Sequence, residues 1–298
     1  MKKERVAYVN GEILPESEAK ISIGDAGFLY GDAVFDTTRT FGHKIFRLKD
    51  HINRLYDSLK YLRLEPGMSM TELIDLTMQI LEANLPLLAK NDDYWVTQRF
   101  TRGMRGTQGK PTVIIECQPL PFDERAKFFK NGLPVATPSI RRTPPEALSP
   151  RAKTHNYLNL IQGNLEIKGQ NEDALAILLD MNGNLCEGYG SNIFVVRDGT
   201  ISTPKRHYVL DGISRQTTFD LAHELGIDLQ EVDIDLFDAY TADEIFVTST
   251  SWCICPVSTV NGTTIGNSVP GPVTERLQKA YSGLVGIDIV EQYVSRLT

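Results

Sequence analysis

Apolar and polar positions alternate in several short stretches of the chain, and in others the spacing lengthens to that of a helix. Val6-Ala7-Tyr8-Val9, the run from Ala33 to Arg39 and Lys44-Ile45-Phe46-Arg47 read as strands. Between Asp50 and Leu64 the apolar residues Ile52, Leu55, Leu59 and Leu62 recur every three or four positions, which predicts one helical face with Arg54 beside it. A second helix is predicted from Met70 to Ala83, followed by strands from Tyr94 to Thr101 and Thr112 to Cys117. Residues 1–118 therefore read as a small α+β domain. The polar, charged stretch 119–132 reads as a linker, and 133–298 as a larger α/β domain. In that second domain a helix is predicted from Tyr157 to Lys168 and a strand from Ala174 to Leu179. The turn Asn182-Gly183-Asn184 follows and leads into a strand around Glu187. Strands at Asn192 to Val196, Glu244 to Thr248 and Cys253 to Val257 continue the sheet. Helices run from Gly212 to near Gly226 and from Thr274 to Ser282.

Composition narrows the function classes. With 298 residues, 41% hydrophobic and 23% charged, the chain has enough apolar material for two packed cores. A net charge of -7 without a long basic run leaves no electrostatic footprint for nucleic acid or an anionic membrane. No segment reaches the roughly 18 apolar residues of a membrane span, and the short N-terminal lead has no signal-peptide core, so the expected location is cytoplasmic. Cys253 and Cys255 form C-x-C within an apolar strand. With Cys117 and Cys186 they are expected to be buried free thiols, and no metal site is expected.

The chemistry-bearing residues are a lysine and a distant acid. Lys153 lies in Pro150-Arg151-Ala152-Lys153-Thr154-His155-Asn156-Tyr157, and Glu187 follows 34 positions later in Leu185-Cys186-Glu187-Gly188-Tyr189-Gly190-Ser191-Asn192. An amine that forms a Schiff base with an aldehyde, and a carboxylate that keeps a ring nitrogen protonated, are the two groups pyridoxal-phosphate chemistry requires. Arg54 on the early helix, Leu210-Asp211-Gly212-Ile213-Ser214 and Thr248-Ser249-Thr250-Ser251 follow in an order that resembles the class IV, fold type IV, pyridoxal-phosphate aminotransferases. The resemblance runs from about Tyr8 to about Leu277.

What the resemblance implies is specific. The fold would be the two-domain α+β fold type IV, assembled as a homodimer, with the site at the domain boundary close to the partner subunit. The cofactor would be pyridoxal 5'-phosphate, with Lys153 as Schiff-base lysine and proton shuttle, Glu187 at the ring nitrogen and Tyr157 at the phenolic oxygen. Its phosphate would meet Arg54, Gly212, Ile213, Ser214, Ser249 and Thr250. His155 reads as a polar helix-start residue. Substrate contacts are expected from Tyr30, Phe35, Arg39, Tyr94, Arg105 and Ser251, with Arg102 bracing the turn before Arg105. Ser249 stands where many members carry Gly, Trp95 and Val96 follow Tyr94 where branched-chain enzymes often have an arginine, and Thr107 replaces the histidine of D-amino-acid enzymes. The implied reaction is ping-pong transfer of an amino group from a hydrophobic, branched-chain-like amino acid to a 2-oxo acid. An (R)-amine or D-amino-acid transaminase and a lyase like aminodeoxychorismate lyase are the rival readings.

Overall fold

The computed structural model describes residues 4–104, 106 and 110–297. The chain divides into two compact units, one of Met1–Leu120 with Ala152–Asn156, the other of Pro121–Arg151 with Tyr157–Thr298.

The first unit is a six-stranded antiparallel sheet backed by helices. Its strands are β1 (Val6–Val9), β2 (Glu12–Pro15), β3 (Ala33–Phe41), β4 (Lys44–Ile45), β5 (Tyr94–Thr101) and β6 (Thr112–Pro119), in the order β2-β1-β6-β5-β3-β4. A short helix α1 (Ala26–Tyr30) precedes β3, and α2 (Leu48–Tyr61) and α3 (Met70–Asn84) separate β4 from β5. The three-four spacing seen in the sequence becomes the buried face of α2: Ile52, Leu55 and Leu59 pack with Val34, Val96, Phe100 and Ile115 of the sheet and with Leu73 and Ile80 of α3. Ser69 starts α3 with a capping box, its hydroxyl accepting from the Glu72 amide while the Glu72 carboxylate accepts from the Ser69 amide.

In the second unit the strands are β7 (Leu133–Ala136), β8 (Leu175–Leu179), β9 (Leu185–Gly188), β10 (Ser191–Arg197), β11 (Thr200–Pro204), β12 (Leu229–Val232), β13 (Glu244–Ser249), β14 (Cys253–Val260) and β15 (Thr263–Thr264). They run β12-β11-β10-β13-β14-β7-β8-β9, and β9 also pairs with β10, so six of them close into a ring. Around them lie α4 (Phe122–Asn131), α5 (Leu158–Lys168), α6 (Ile213–Glu224), α7 (Leu236–Tyr240), α8 (Pro272–Val285) and α9 (Glu291–Val294). The near-continuous apolar runs of β8, β10 and β13 are buried on both sides, and Phe194 stacks on Phe246 at 4.8 Å between ring centroids.

Two boundary expectations are corrected. The stretch 119–132 is not a linker: Phe122, Ala126 and Phe129 sit at helical spacing and are buried, so the segment folds as α4 within the second unit. The lysine segment Ala152–Asn156 groups with the first unit, not with the C-terminal domain. All four cysteines are buried free thiols, and burial pushes Cys117 up to about 12.

Candidate active site

Alternation along β3 sends Asp36 toward α2 and Phe35 to the opposite face of the sheet. The lysine segment lies on the free edge of β3. The Phe35 amide donates to the Lys153 carbonyl (3.0 Å) and the His155 amide to the Ala33 carbonyl (2.9 Å), with Val34 opposite Thr154. The Lys153 amide donates to Ser58 Oγ (3.0 Å), and that hydroxyl donates to the Arg54 carbonyl (2.9 Å). Lys153 Nζ stands 4.5 Å from the centroid of the Phe35 ring, so the amine rests against an apolar, electron-rich face. His155 meets the same ring edge-on at 5.3 Å. Burial lowers its pKa to about 4, with Arg99 and Lys153 adding to the shift and Asp25 opposing it. His155 is therefore neutral at pH 7.

On the other face of β3, Arg54 Nε and Nη2 both donate to the Asp36 carboxylate at 2.8 and 2.7 Å, a bidentate pair. His51 Nδ1 lies 2.7 Å from Asp36 Oδ1, where it is the donor because that carboxylate is ionised. Burial pushes the Asp36 carboxyl upward, but Arg54 and His51 outweigh it and hold it well below the usual range. Burial likewise lowers His51, against the pull of Asp36.

Several substrate residues expected from the sequence fall elsewhere. Arg39 is 1% exposed, its Nε donating to the Thr40 carbonyl and its Nη2 facing Asp93 at 3.4 Å. A substrate carboxylate would have to displace that buried partner, which corrects the pocket-arginine expectation. Tyr94 is corrected too. It shares the helix-facing side of β5 with Val96, Gln98 and Phe100, and its hydroxyl donates to the Asn84 carbonyl. Strand parity instead puts Arg99 opposite Phe35, in ion pair with Glu116 at 2.7 Å. Arg99, Glu116, Phe28 and His155 line a cavity of about 640 Å³ in this unit. Arg99 belongs to no motif in the sequence, but counting in twos from Phe100 separates it from the buried face of β5. Arg102 does brace its turn, bound to Asp32 and to the Leu62 and Arg63 carbonyls. Tyr30 is an exposed residue of α1. Arg105 lies outside the described residues.

The second unit assembles the remaining expected residues. Glu187 sits on β9, 5% exposed, with Oε1 accepting from Arg142 Nε (2.9 Å) and Oε2 from the Leu210 amide (2.9 Å). Arg142 was not foreseen as its partner. The Leu210–Gly212 turn is gripped by Asn192, whose Nδ2 donates to the Leu210 carbonyl. A Cβ at Gly212 would come within 2.3 Å of Asn192 Oδ1, so a larger residue there has to displace the Asn192 amide. Gly212 caps α6, leaving the amides of Ile213 and Ser214 in its first turn. Ser214 Oγ donates to the Ser249 carbonyl (2.9 Å), tying α6 to the turn after β13. Ser249 Oγ accepts from the Trp252 amide (3.0 Å). Ser251 is held from behind by Arg125 and by the Tyr293 hydroxyl, and Arg125 also lies 4.6 Å over the Trp252 ring. Tyr157 precedes α5 and meets Tyr189 edge-on at 5.7 Å.

The family model for Amino-transferase class IV matches residues 33–260, which include every one of these groups from Phe35 to Ser251. The chain belongs to the class IV aminotransferases. A protein of Methanocaldococcus jannaschii provisionally named a branched-chain-amino-acid aminotransferase is 36% identical over 284 residues, covering 93% of this chain and 95% of its own. The branched-chain amino acid aminotransferase of Escherichia coli superimposes with a TM-score of 0.87 at 30% identity, over 95% of both chains. That of the thermophilic archaeon Thermoproteus uzoniensis, solved with norvaline, superimposes with a TM-score of 0.86 at 28% identity over 99% of both. Class IV aminotransferases are pyridoxal-phosphate enzymes, and this chain has the donor set such a cofactor needs. It offers an amine, a guanidinium, a helix start flanked by hydroxyls, and a buried carboxylate. No helix among the described residues is long and apolar enough to cross a membrane.

Proposed function

We propose that this class IV aminotransferase moves an amino group from a hydrophobic, branched-chain-like amino acid to a 2-oxo acid by a ping-pong reaction. The observation that carries the reading is the seat of Lys153 Nζ against the Phe35 ring, which gives the reacting amine an apolar neighbour suited to an aliphatic side chain. The names of its relatives support the same substrate class.

When bound, the cofactor supplies an electrophilic aldehyde and a ring that accepts electrons. Lys153 Nζ is the amine that would hold that aldehyde and the base that would carry a proton away from the substrate Cα. Ser58 fixes the lysine's backbone, and Phe35 limits water at its amine. Glu187, held by Arg142 and the Leu210 amide, would be the carboxylate that meets the ring nitrogen. Arg54, the α6 amides of Ile213 and Ser214, Ser249 and Thr250 would hold the phosphate, and Tyr157 would meet the phenolic oxygen. Arg105 is the proposed ligand for the acceptor carboxylate and Arg99 its competitor, being the arginine placed beside Phe35. A second copy of the chain is proposed to cover the apolar segment that carries Ile23, Phe28 and Tyr30, all of them exposed.

A half-reaction screen tests the reading. The cofactor-loaded protein is mixed in turn with L-amino acids, D-amino acids and (R)- and (S)-amines, and the change in cofactor absorbance is followed. Fastest conversion by L-leucine, L-isoleucine or L-valine is the expected result. Conversion only by D-amino acids or (R)-amines refutes it and favours the rival donors.

A further inference from the structure

Asp36 has more donors than an ordinary ion pair requires. Its Oδ1 accepts from Arg54 Nη2 (2.7 Å), from His51 Nδ1 (2.7 Å) and from the Thr37 amide (2.8 Å), while Oδ2 accepts from Arg54 Nε (2.8 Å). Its side chain is fully buried, His51 is 3% exposed, and Arg54, at 11%, is the member of the trio that reaches outward. A buried ion pair adds little net stability, because desolvation cancels most of the Coulomb gain and an apolar trio of similar volume does as well. What such a pair does provide is direction. The carboxylate takes the side-on edge of the guanidinium, Nε with Nη2, which fixes the plane of the group. His51 and the Thr37 amide keep the carboxylate from rotating. From the other end of α2, Ser58 joins the Arg54 carbonyl to the Lys153 amide, so the arginine's backbone and side chain are both held.

We propose that Asp36, steadied by His51, is a positioning residue for the cofactor phosphate: it fixes the Arg54 guanidinium in the one plane from which its outer N–H groups meet a phosphate. This rests on the reading of Arg54 as the phosphate arginine. A carboxylate at Asp36 lowers the local positive charge, so its presence makes sense only where orientation outweighs the lost attraction.

The experiment compares the affinity of the cofactor-stripped enzyme for pyridoxal phosphate and for pyridoxal, which has the same ring and aldehyde but no phosphate. Asp36→Asn is expected to weaken pyridoxal phosphate about 10- to 100-fold, the usual range for losing an orienting partner, and to change pyridoxal less than about threefold. Equal loss for both ligands means that Asp36 only maintains the fold and overturns the proposal. Arg54→Met separates this from the underlying reading. If Arg54→Met discriminates between the ligands and Asp36→Asn does not, the positioning role is wrong. If neither discriminates, the phosphate assignment of Arg54 has failed. Should Asp36→Asn not fold, Asp36→Glu keeps the charge and displaces the carboxylate by one methylene. A phosphate-selective loss is again expected, and an unchanged ratio of the two affinities overturns the proposal. Adding Asp36→Asn to Arg54→Met is expected to weaken binding by less than a further factor of about two, because a positioning residue then has nothing left to position.

Discussion

His155 gives the sharpest quantitative expectation. Its ring packs edge-on against Phe35, two residues from the lysine, and its folded pKa is about 4 against an ordinary value of 6.5. Between those pH values the unfolded chain binds a proton that the folded chain refuses, so stability falls as the solution is acidified. The contribution is intact above about pH 6.5 and the loss is complete below about pH 4. The gap between 6.5 and about 4 amounts to about 3 kcal/mol below pH 4 and about 2 kcal/mol at pH 5. Urea unfolding of the cofactor-stripped protein at pH 8 and pH 5 measures it. The native chain is expected to lose about 2 kcal/mol more between those points than His155→Gln, which cannot titrate. His51, lowered by burial in the same direction, is present in both proteins and cancels in the comparison. Equal pH dependence in the two proteins, or a His155 imidazole resonance that titrates near 6.5, would refute the burial argument.

Lys153→Ala is expected to keep cofactor bound without a covalent link and to lose multiple-turnover transamination by on the order of 10³-fold or more; borohydride trapping followed by mass measurement shows whether the link has gone. Glu187→Gln is expected to slow proton removal from the donor on the order of 10²-fold with cofactor affinity little changed, read by single-turnover absorbance and a cofactor titration. An unchanged rate removes Glu187 from the ring-nitrogen role. Gly212→Ala suffers no backbone penalty, since φ is -62°, but drives its Cβ into Asn192 Oδ1 and is expected to cost about 1–3 kcal/mol in chemical denaturation, with weaker cofactor retention.

Much of this molecule could be read from local pattern, because alternation and three-four spacing are properties of neighbouring residues. The apolar face of α2, the existence of β3, the start of α6 and the turn after β13 were all legible in that way. What escaped depended on non-local pairing or on strand parity. Nothing within Ala152–Asn156 announces that it pairs with β3, more than a hundred positions earlier. Tyr94 falls on the helix-facing side of β5 with the buried Phe100, six positions away, and Arg99 on the other, because an odd count along a strand changes the face. Arg142 is 45 residues from Glu187 and has no motif of its own. The 119–132 stretch did carry a signal, the Phe122, Ala126, Phe129 spacing, hidden among charged residues that occupy the outer face of α4.

The closed ring of strands has a consequence for how unevenly Lys153 and Glu187 are anchored. Strand β9 is bonded along both edges, to β8 and to β10, so the carboxylate of Glu187 sits on backbone that cannot separate unless the ring itself opens. The lysine's five-residue segment is bonded to the rim of another sheet by a few amides and one serine hydroxyl. Amide hydrogens around Glu187 are therefore expected to exchange with deuterium only on global unfolding, and those of 153–155 through local peeling on a much shorter timescale. The acid is built into a hoop, while the lysine is carried on a strip that can lift.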